Sequence, residues 1–185
     1  MNKIKSNLSY QTLYQVLTII TPLITAPYLS RILGAKQLGV FSYTSSVVAY
    51  FTLFAMLGTV NYGAKVIASC SSDKRELSVS FFSIYAFQIF ACLVSMAAYI
   101  CLVALTNQEY KFIAYIQALS VIACAANVNW FLFGLEEFAV VTIRNIFVKI
   151  AEVASILLLV KTESDLAIYI LIMLGSTLIS NLIAF

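Results

Sequence analysis

Long apolar runs, separated by short polar breaks, constrain this chain more than any other feature. They lie near 8–33, 40–69, 77–105, 112–133, 143–160 and 166–185. Each is close to or longer than the roughly 20 residues that an α-helix needs to cross a bilayer. The runs are continuous and lack the alternation of barrel strands, so helices are expected. The breaks at 34–39, 71–76, 106–111, 134–142 and 161–165 leave no room for a soluble domain. The predicted fold is all-α: a polytopic membrane bundle of about six transmembrane helices, forming a single transmembrane domain over 1–185.

Composition closes the alternative. The chain is 62% hydrophobic and 10% charged, against about 45–50% apolar and about 25% charged in ordinary soluble domains. A soluble fold with so little charge has too few polar groups to cover its surface. Lys3 and Lys5 precede the first run, as in a signal peptide. Gln11, Gln15, Pro22 and Pro27 interrupt that run, and no small-residue cleavage site follows, so a retained first helix is expected.

Lys and Arg set the expected orientation. Lys3, Lys5, Lys65, Lys74, Arg75, Arg144 and Lys149 fall on one side of the predicted spans. Arg31, Lys36, Lys111 and Lys161 fall on the other. Seven against four places the N-terminus and the even-numbered breaks in the cytoplasm. The sequence stops at Phe185, inside the sixth run, and half of a larger transporter is the expectation.

Enzymatic chemistry finds little support. There is no His, hence no His-based triad or His metal site. Cys70, Cys92, Cys101 and Cys124 lack metal-ligand spacing. No glycine-rich phosphate loop is present. Neither a cofactor nor a bound metal is expected, and with a net charge of +3 nucleic acid is not an expected partner.

The polar residues within the runs carry the functional signal. At about 100° per residue, Arg144, Asn145, Lys149, Glu152 and Ser155 share a sector of roughly 140°. Glu152 sits about 13 Å from either end of its run at about 1.5 Å per residue, near the midplane. A carboxylate there costs at least a few kcal/mol against lipid, so it must face protein or water. Lys149, one turn earlier, is its natural partner. Either a helix-packing ion pair or a charged stripe lining a hydrated path meets that demand. Gln11, Tyr14, Gln15, Thr18, Thr21 and Thr25 form a neutral stripe on the first helix, where Pro22 and Pro27 are expected to produce a kink. Gln117, Ser120, Cys124 and Asn127 form a third stripe, on the fourth helix. Three stripes point to a shared interior cavity lined by Glu152, Gln11, Gln15, Thr18, Gln117 and Asn127. Arg31, Lys65, Arg144 and Lys149 are the cations best placed to attract an anion.

Several segments resemble a known family. These are Pro27-Tyr28-Leu29-Ser30-Arg31-Ile32-Leu33-Gly34-Ala35, followed by Leu38-Gly39-Val40-Phe41-Ser42, and Gly58-Thr59-Val60-Asn61-Tyr62-Gly63-Ala64-Lys65. Asn129-Trp130-Phe131-Leu132-Phe133-Gly134-Leu135-Glu136 continues the pattern. Arg144-Asn145 with Lys149, and Asp165-Leu166-Ala167-Ile168-Tyr169, complete it. Together they resemble polysaccharide flippases of the Wzx type, in the multidrug/oligosaccharidyl-lipid/polysaccharide exporter superfamily. The resemblance implies one lobe of a two-lobed flippase fold. It also implies transport of an undecaprenyl-diphosphate-linked oligosaccharide across the bacterial inner membrane, for O-antigen or capsule assembly. Implied partners are that lipid-linked oligosaccharide, membrane lipids, a second lobe and a polysaccharide polymerase. Arg31, Lys65, Arg144 and Lys149 would then receive the diphosphate. Lys65 stands where the family often has arginine. A cation-coupled drug or metabolite exporter of the same superfamily, or an inactive membrane fragment or scaffold, are the competing readings.

Overall fold

The computed structural model describes residues 2–71, 73–106 and 110–184, with side chains described except at 2–11, 14 and 17. Nine α-helices occur among the described residues, with no strand. They are α1 (Asn2–Ile32), α2 (Gly34–Met56), α3 (Thr59–Cys70), α4 (Lys74–Leu105), α5 (Lys111–Gln117), α6 (Leu119–Ala125), α7 (Asn129–Gly134), α8 (Phe138–Leu159) and α9 (Leu166–Leu182). Four stretches among the described residues are long and apolar enough to cross a membrane: Gly34–Cys70, Lys74–Leu105, Lys111–Gly134 and Glu163–Leu182. With its apolar composition and all-helical build, the chain is a helical membrane bundle. The outside of the bundle suits lipid, since Phe54, Phe82, Phe90, Phe147 and Leu158 are each 65–71% exposed.

The helices are longer than the apolar runs, and the breaks differ in kind. The expected 34–39 connection is helical: α2 starts at Gly34, one residue after the end of α1 plus Leu33. Gly34 has φ +71°, a left-handed conformation that glycine adopts without a Cβ penalty, and it separates α2 from α1. α1 continues through both Pro22 and Pro27. The 161–165 connection is closed by a 3-10 turn, Glu163–Asp165, in a capping box with Thr162. The Asp165 carboxylate accepts from the backbone N–H of Lys161 (2.9 Å) and Thr162 (2.8 Å).

Two of the apolar runs are not single helices. The run at 40–69 breaks at Leu57 (φ +39°) and Gly58 (φ +73°) into α2 and α3. The run at 112–133 breaks at Ala118 and again at Ala126–Val128. α2 packs on α4 and α6, α3 packs on α7 and α4, and α8 packs on α1 and α9.

Three buried clusters join these elements. Leu29, Leu33, Val40, Ile156, Val160 and Tyr169 hold α1, α2, α8 and α9 together at one end. Val48, Ala55, Cys92, Tyr99 and Val121 join α2, α4 and α6 in the middle. Ile67, Ile84 and Trp130 join α3, α4 and α7 at the other end. In the last cluster helices meet at glycine, as close membrane packing favours. Gly63 lies against the Trp130 ring, and Gly134 lies against Ile67 and the Ala64 carbonyl.

Candidate functional site

A polar cavity of about 260 Å³ opens between α1, α8, α9 and the α6–α7 link. Its wall includes Thr18 from α1, Asn127 and Asn129 from the link and α7, and Asn145, Lys149 and Glu152 from α8. α9 contributes Ser176, Thr177, Ser180 and Asn181. The α9 contribution follows from spacing, because positions one, four and five apart fall on one helical face.

The charged groups are held by neutral ones. Glu152 is 7% exposed and Lys149 34%. Lys149 Nζ donates to Glu152 Oε1 at 2.7 Å, one turn apart on α8. The Ser176 hydroxyl donates to the other carboxylate oxygen, Oε2, and so ties α9 to α8. Arg144 is buried near the start of α8. Its Nη2 donates to Asn129 Oδ1 (2.7 Å), and Nε and Nη2 both reach Asn145 Oδ1 (3.2 and 3.1 Å). Ser180 Oγ donates to the same Asn145 oxygen at 2.6 Å. Asn181 Nδ2 donates to the Ala123 carbonyl of α6 (2.8 Å), while Asn129 Nδ2 approaches Asn181 Oδ1 at 3.4 Å. The Lys149–Glu152 pair sums to zero charge, and the Arg144 guanidinium lies beside it behind Asn129 and Asn145. Hydroxyls and amides around it offer both donors and acceptors.

The sequence-derived candidates divide by place. Thr18, Asn127, Lys149 and Glu152 line the cavity, and Arg144 stands directly behind Asn129 and Asn145. Gln15, one turn before Thr18, is exposed and is not part of the wall. The side chain of Gln11 lies outside the described residues. Gln117 is buried elsewhere, lining a separate pocket of about 230 Å³ between α2, α5 and α9, where its Nε2 is 3.5 Å from Thr44 Oγ1. It therefore does not share a cavity with Asn127, because the α5–α6 and α6–α7 breaks destroy the single face assumed for that run.

Arg31 and Lys65 are both exposed and at opposite ends of the bundle. The Tyr28 hydroxyl bonds to the Val160 carbonyl at 2.7 Å, which places Arg31 beside the end of α8. Arg144 is 16 residues before Val160, or about 24 Å along the helix at about 1.5 Å per residue. Lys65 points about 200° away from Gly63 on α3, and Gly63 faces α7.

Comparison with known proteins fits this geometry. The family of polysaccharide biosynthesis proteins matches residues 4–185. The chain belongs to that family. It is 25% identical over 184 residues to the protein named "Putative O-antigen transporter" of Escherichia coli (strain K12). That alignment covers 98% of this chain and 44% of the relative, so this chain spans less than half the relative's length. No solved structure matches.

Proposed function

We propose that this chain is the N-terminal lobe of a flippase. Its substrate is an oligosaccharide carried on undecaprenyl diphosphate, moved across the bacterial inner membrane for O-antigen or capsule assembly. The observation that carries this reading is the cavity: Lys149 among hydroxyls and amides, with Arg144 directly behind Asn129 and Asn145, in a chain of the polysaccharide biosynthesis family. α1 and α8 complete six spans, and the seven-to-four Lys/Arg distribution supports a cytoplasmic N-terminus. α8 carries its three charges on the cavity side, so lipid does not meet them.

The chemistry matches the substrate class. A diphosphate taken from water needs compensating cations. Arg144 and Lys149 supply them, and arginine's planar fork suits phosphate oxygens. Asn127, Asn145 and Ser180 offer hydrogen bonds to sugar hydroxyls. Lys149 is paired with Glu152 until an anion competes for it. Arg31 and Lys65, at the two ends, meet the headgroup in different access states. A second lobe closes the path, and rocking between lobes exposes it to either side.

A second reading is a cation-coupled exporter. The buried carboxylate of Glu152 favours it, because a desolvated carboxylate is a place for a transported cation or proton. The test is made in the complete protein, in a flippase-deleted host, with surface polysaccharide as the readout. Arg144→Ala and Lys149→Ala are expected to abolish polysaccharide at normal expression, and Arg144→Lys to retain part of it. Full polysaccharide from both Ala variants overturns the headgroup assignment. Drug resistance conferred without any polysaccharide phenotype establishes the exporter instead.

A further inference from the structure

Gln88, the one amide side chain of α4, lies in the middle of that helix and is completely buried. A neutral amide in such a place costs a few kcal/mol unless its donors and acceptor are all paired. They are. Gln88 Nε2 donates to the Cys124 carbonyl (2.7 Å) and to the Asn127 carbonyl (2.9 Å). Gln88 Oε1 accepts from the indole N–H of Trp130 (2.9 Å). One side chain thus bridges the end of α6, the link, and the first turn of α7. From the opposite side Asn181 grips the same region through the Ala123 carbonyl.

An uninterrupted helix satisfies these carbonyls by itself and needs no glutamine. The interruption therefore requires a reason. On a continuous helix Asn127 and Asn129 point about 200° apart, at about 100° per residue. Here both line the cavity. The Asn127 side chain accepts from the Asn129 backbone N–H (3.1 Å), and Asn129 Oδ1 accepts from Arg144 (2.7 Å). The break is what allows both amides to share one wall and lets Asn129 reach Arg144.

We infer that Gln88, outside the cavity and uncharged, is a positioning residue for the anion site: it holds the α6–α7 interruption in the geometry that aims Asn127 into the cavity and Asn129 at Arg144. The claim rests on the headgroup reading above for its functional consequence, and on the geometry alone for its structural one. Trp130, the single tryptophan of the chain, reports directly on the Gln88 contact.

The experiment uses Gln88→Met, a substitution of similar length without hydrogen-bonding groups. Protein is purified in detergent, and helix content, melting temperature and Trp130 emission are recorded. Inorganic pyrophosphate is then titrated into wild type, Gln88→Met, Arg144→Gln and the double variant. The expected result is a shifted Trp130 emission in a folded Gln88→Met protein, with pyrophosphate affinity reduced at least about tenfold. In the Arg144→Gln background the same substitution is expected to add little, because it acts through Arg144. Wild-type affinity in folded Gln88→Met, or additive losses in the double variant, overturns the inference.

A second arm separates failure of the inference from failure of the headgroup reading. In a cysteine-free background, Asn127→Cys is expected to react with a charged, water-soluble maleimide when Gln88 is present and to lose that reactivity with Gln88→Met. Equal labelling in both backgrounds overturns the positioning role. If labelling follows Gln88 while wild type ignores pyrophosphate, the positioning role stands and the diphosphate reading falls.

Discussion

Adding one methyl group at Gly63 is expected to loosen the joint between α3 and α7. An ideal Cβ there comes within 2.6 Å of Trp130 Cε3, 2.8 Å of Cδ2 and 3.2 Å of Cγ. Ordinary contacts begin near 3.4 Å, so the ring must withdraw by most of an ångström. It has nowhere easy to go. Trp130 is fully buried, stacked on Phe81 (5.4 Å between centroids, 28° between planes), and tied to Gln88. Overpacking of this kind costs about 1–3 kcal/mol. Losing the indole bond adds about 1 kcal/mol. Replacing glycine within a helix returns about 1 kcal/mol of propensity. The sum is a net loss of about 1–3 kcal/mol. Gly39→Ala and Gly175→Ala are matched controls, since both positions are helical and nothing lies within 4 Å of the new Cβ. They are expected to be neutral or slightly stabilising. Thermal unfolding in detergent, followed through Trp130 fluorescence, measures all three. Gly63→Ala as stable as the controls, with unchanged Trp130 emission, refutes the packing argument.

Gly134→Ala is expected to cost about 1–3 kcal/mol or more, because the new Cβ meets Ile67 at 2.6 Å and the unyielding Ala64 carbonyl at 2.9 Å; a melting temperature at or above wild type contradicts this. Tyr28→Phe removes the bond to the Val160 carbonyl and is expected to lower stability by about 1 kcal/mol, read in the same assay. Glu152→Gln removes the competitor for Lys149 and is expected to raise pyrophosphate affinity, whereas Lys149→Gln lowers it; calorimetric titration decides, and equal affinities argue against Lys149 as an anion ligand. Asp165→Ala removes the two backbone N–H bonds that close the turn before α9 and is expected to lower the melting temperature, and an unchanged melting temperature contradicts the capping role.

The helical bundle was legible because a bilayer allows few folds, and the apolar runs have the length it demands. On α8 a regular helix converts spacing directly into direction, and Lys149 and Glu152 both line the cavity wall. The same arithmetic failed on the run at 112–133. It assumes an unbroken helix, and breaks at Ala118 and Ala126–Val128 put Gln117 and Asn127 in different pockets. Asn129 was passed over for the same reason. Ser176, Ser180 and Asn181 were readable from their spacing on α9 and were missed among apolar neighbours. Gln88 was visible as a lone amide in a long apolar helix, but its partners are 36 to 42 residues away in sequence. Nothing local to Arg31 or Lys65 reveals their distance from Arg144, since that depends on which helix ends meet.

The central claim is that the cavity beside Arg144 receives a diphosphate-linked glycan. Its most direct test is substrate protection in the complete protein, with Ser180→Cys on the cavity wall and Ser71→Cys, exposed in the connection between α3 and α4, as the reference. Labelling by a charged maleimide is followed while a polyprenyl-diphosphate oligosaccharide is added. The account predicts that the substrate slows labelling at position 180 and leaves position 71 unchanged, and that Arg144→Ala abolishes the protection. Unchanged labelling at position 180 under saturating substrate contradicts it.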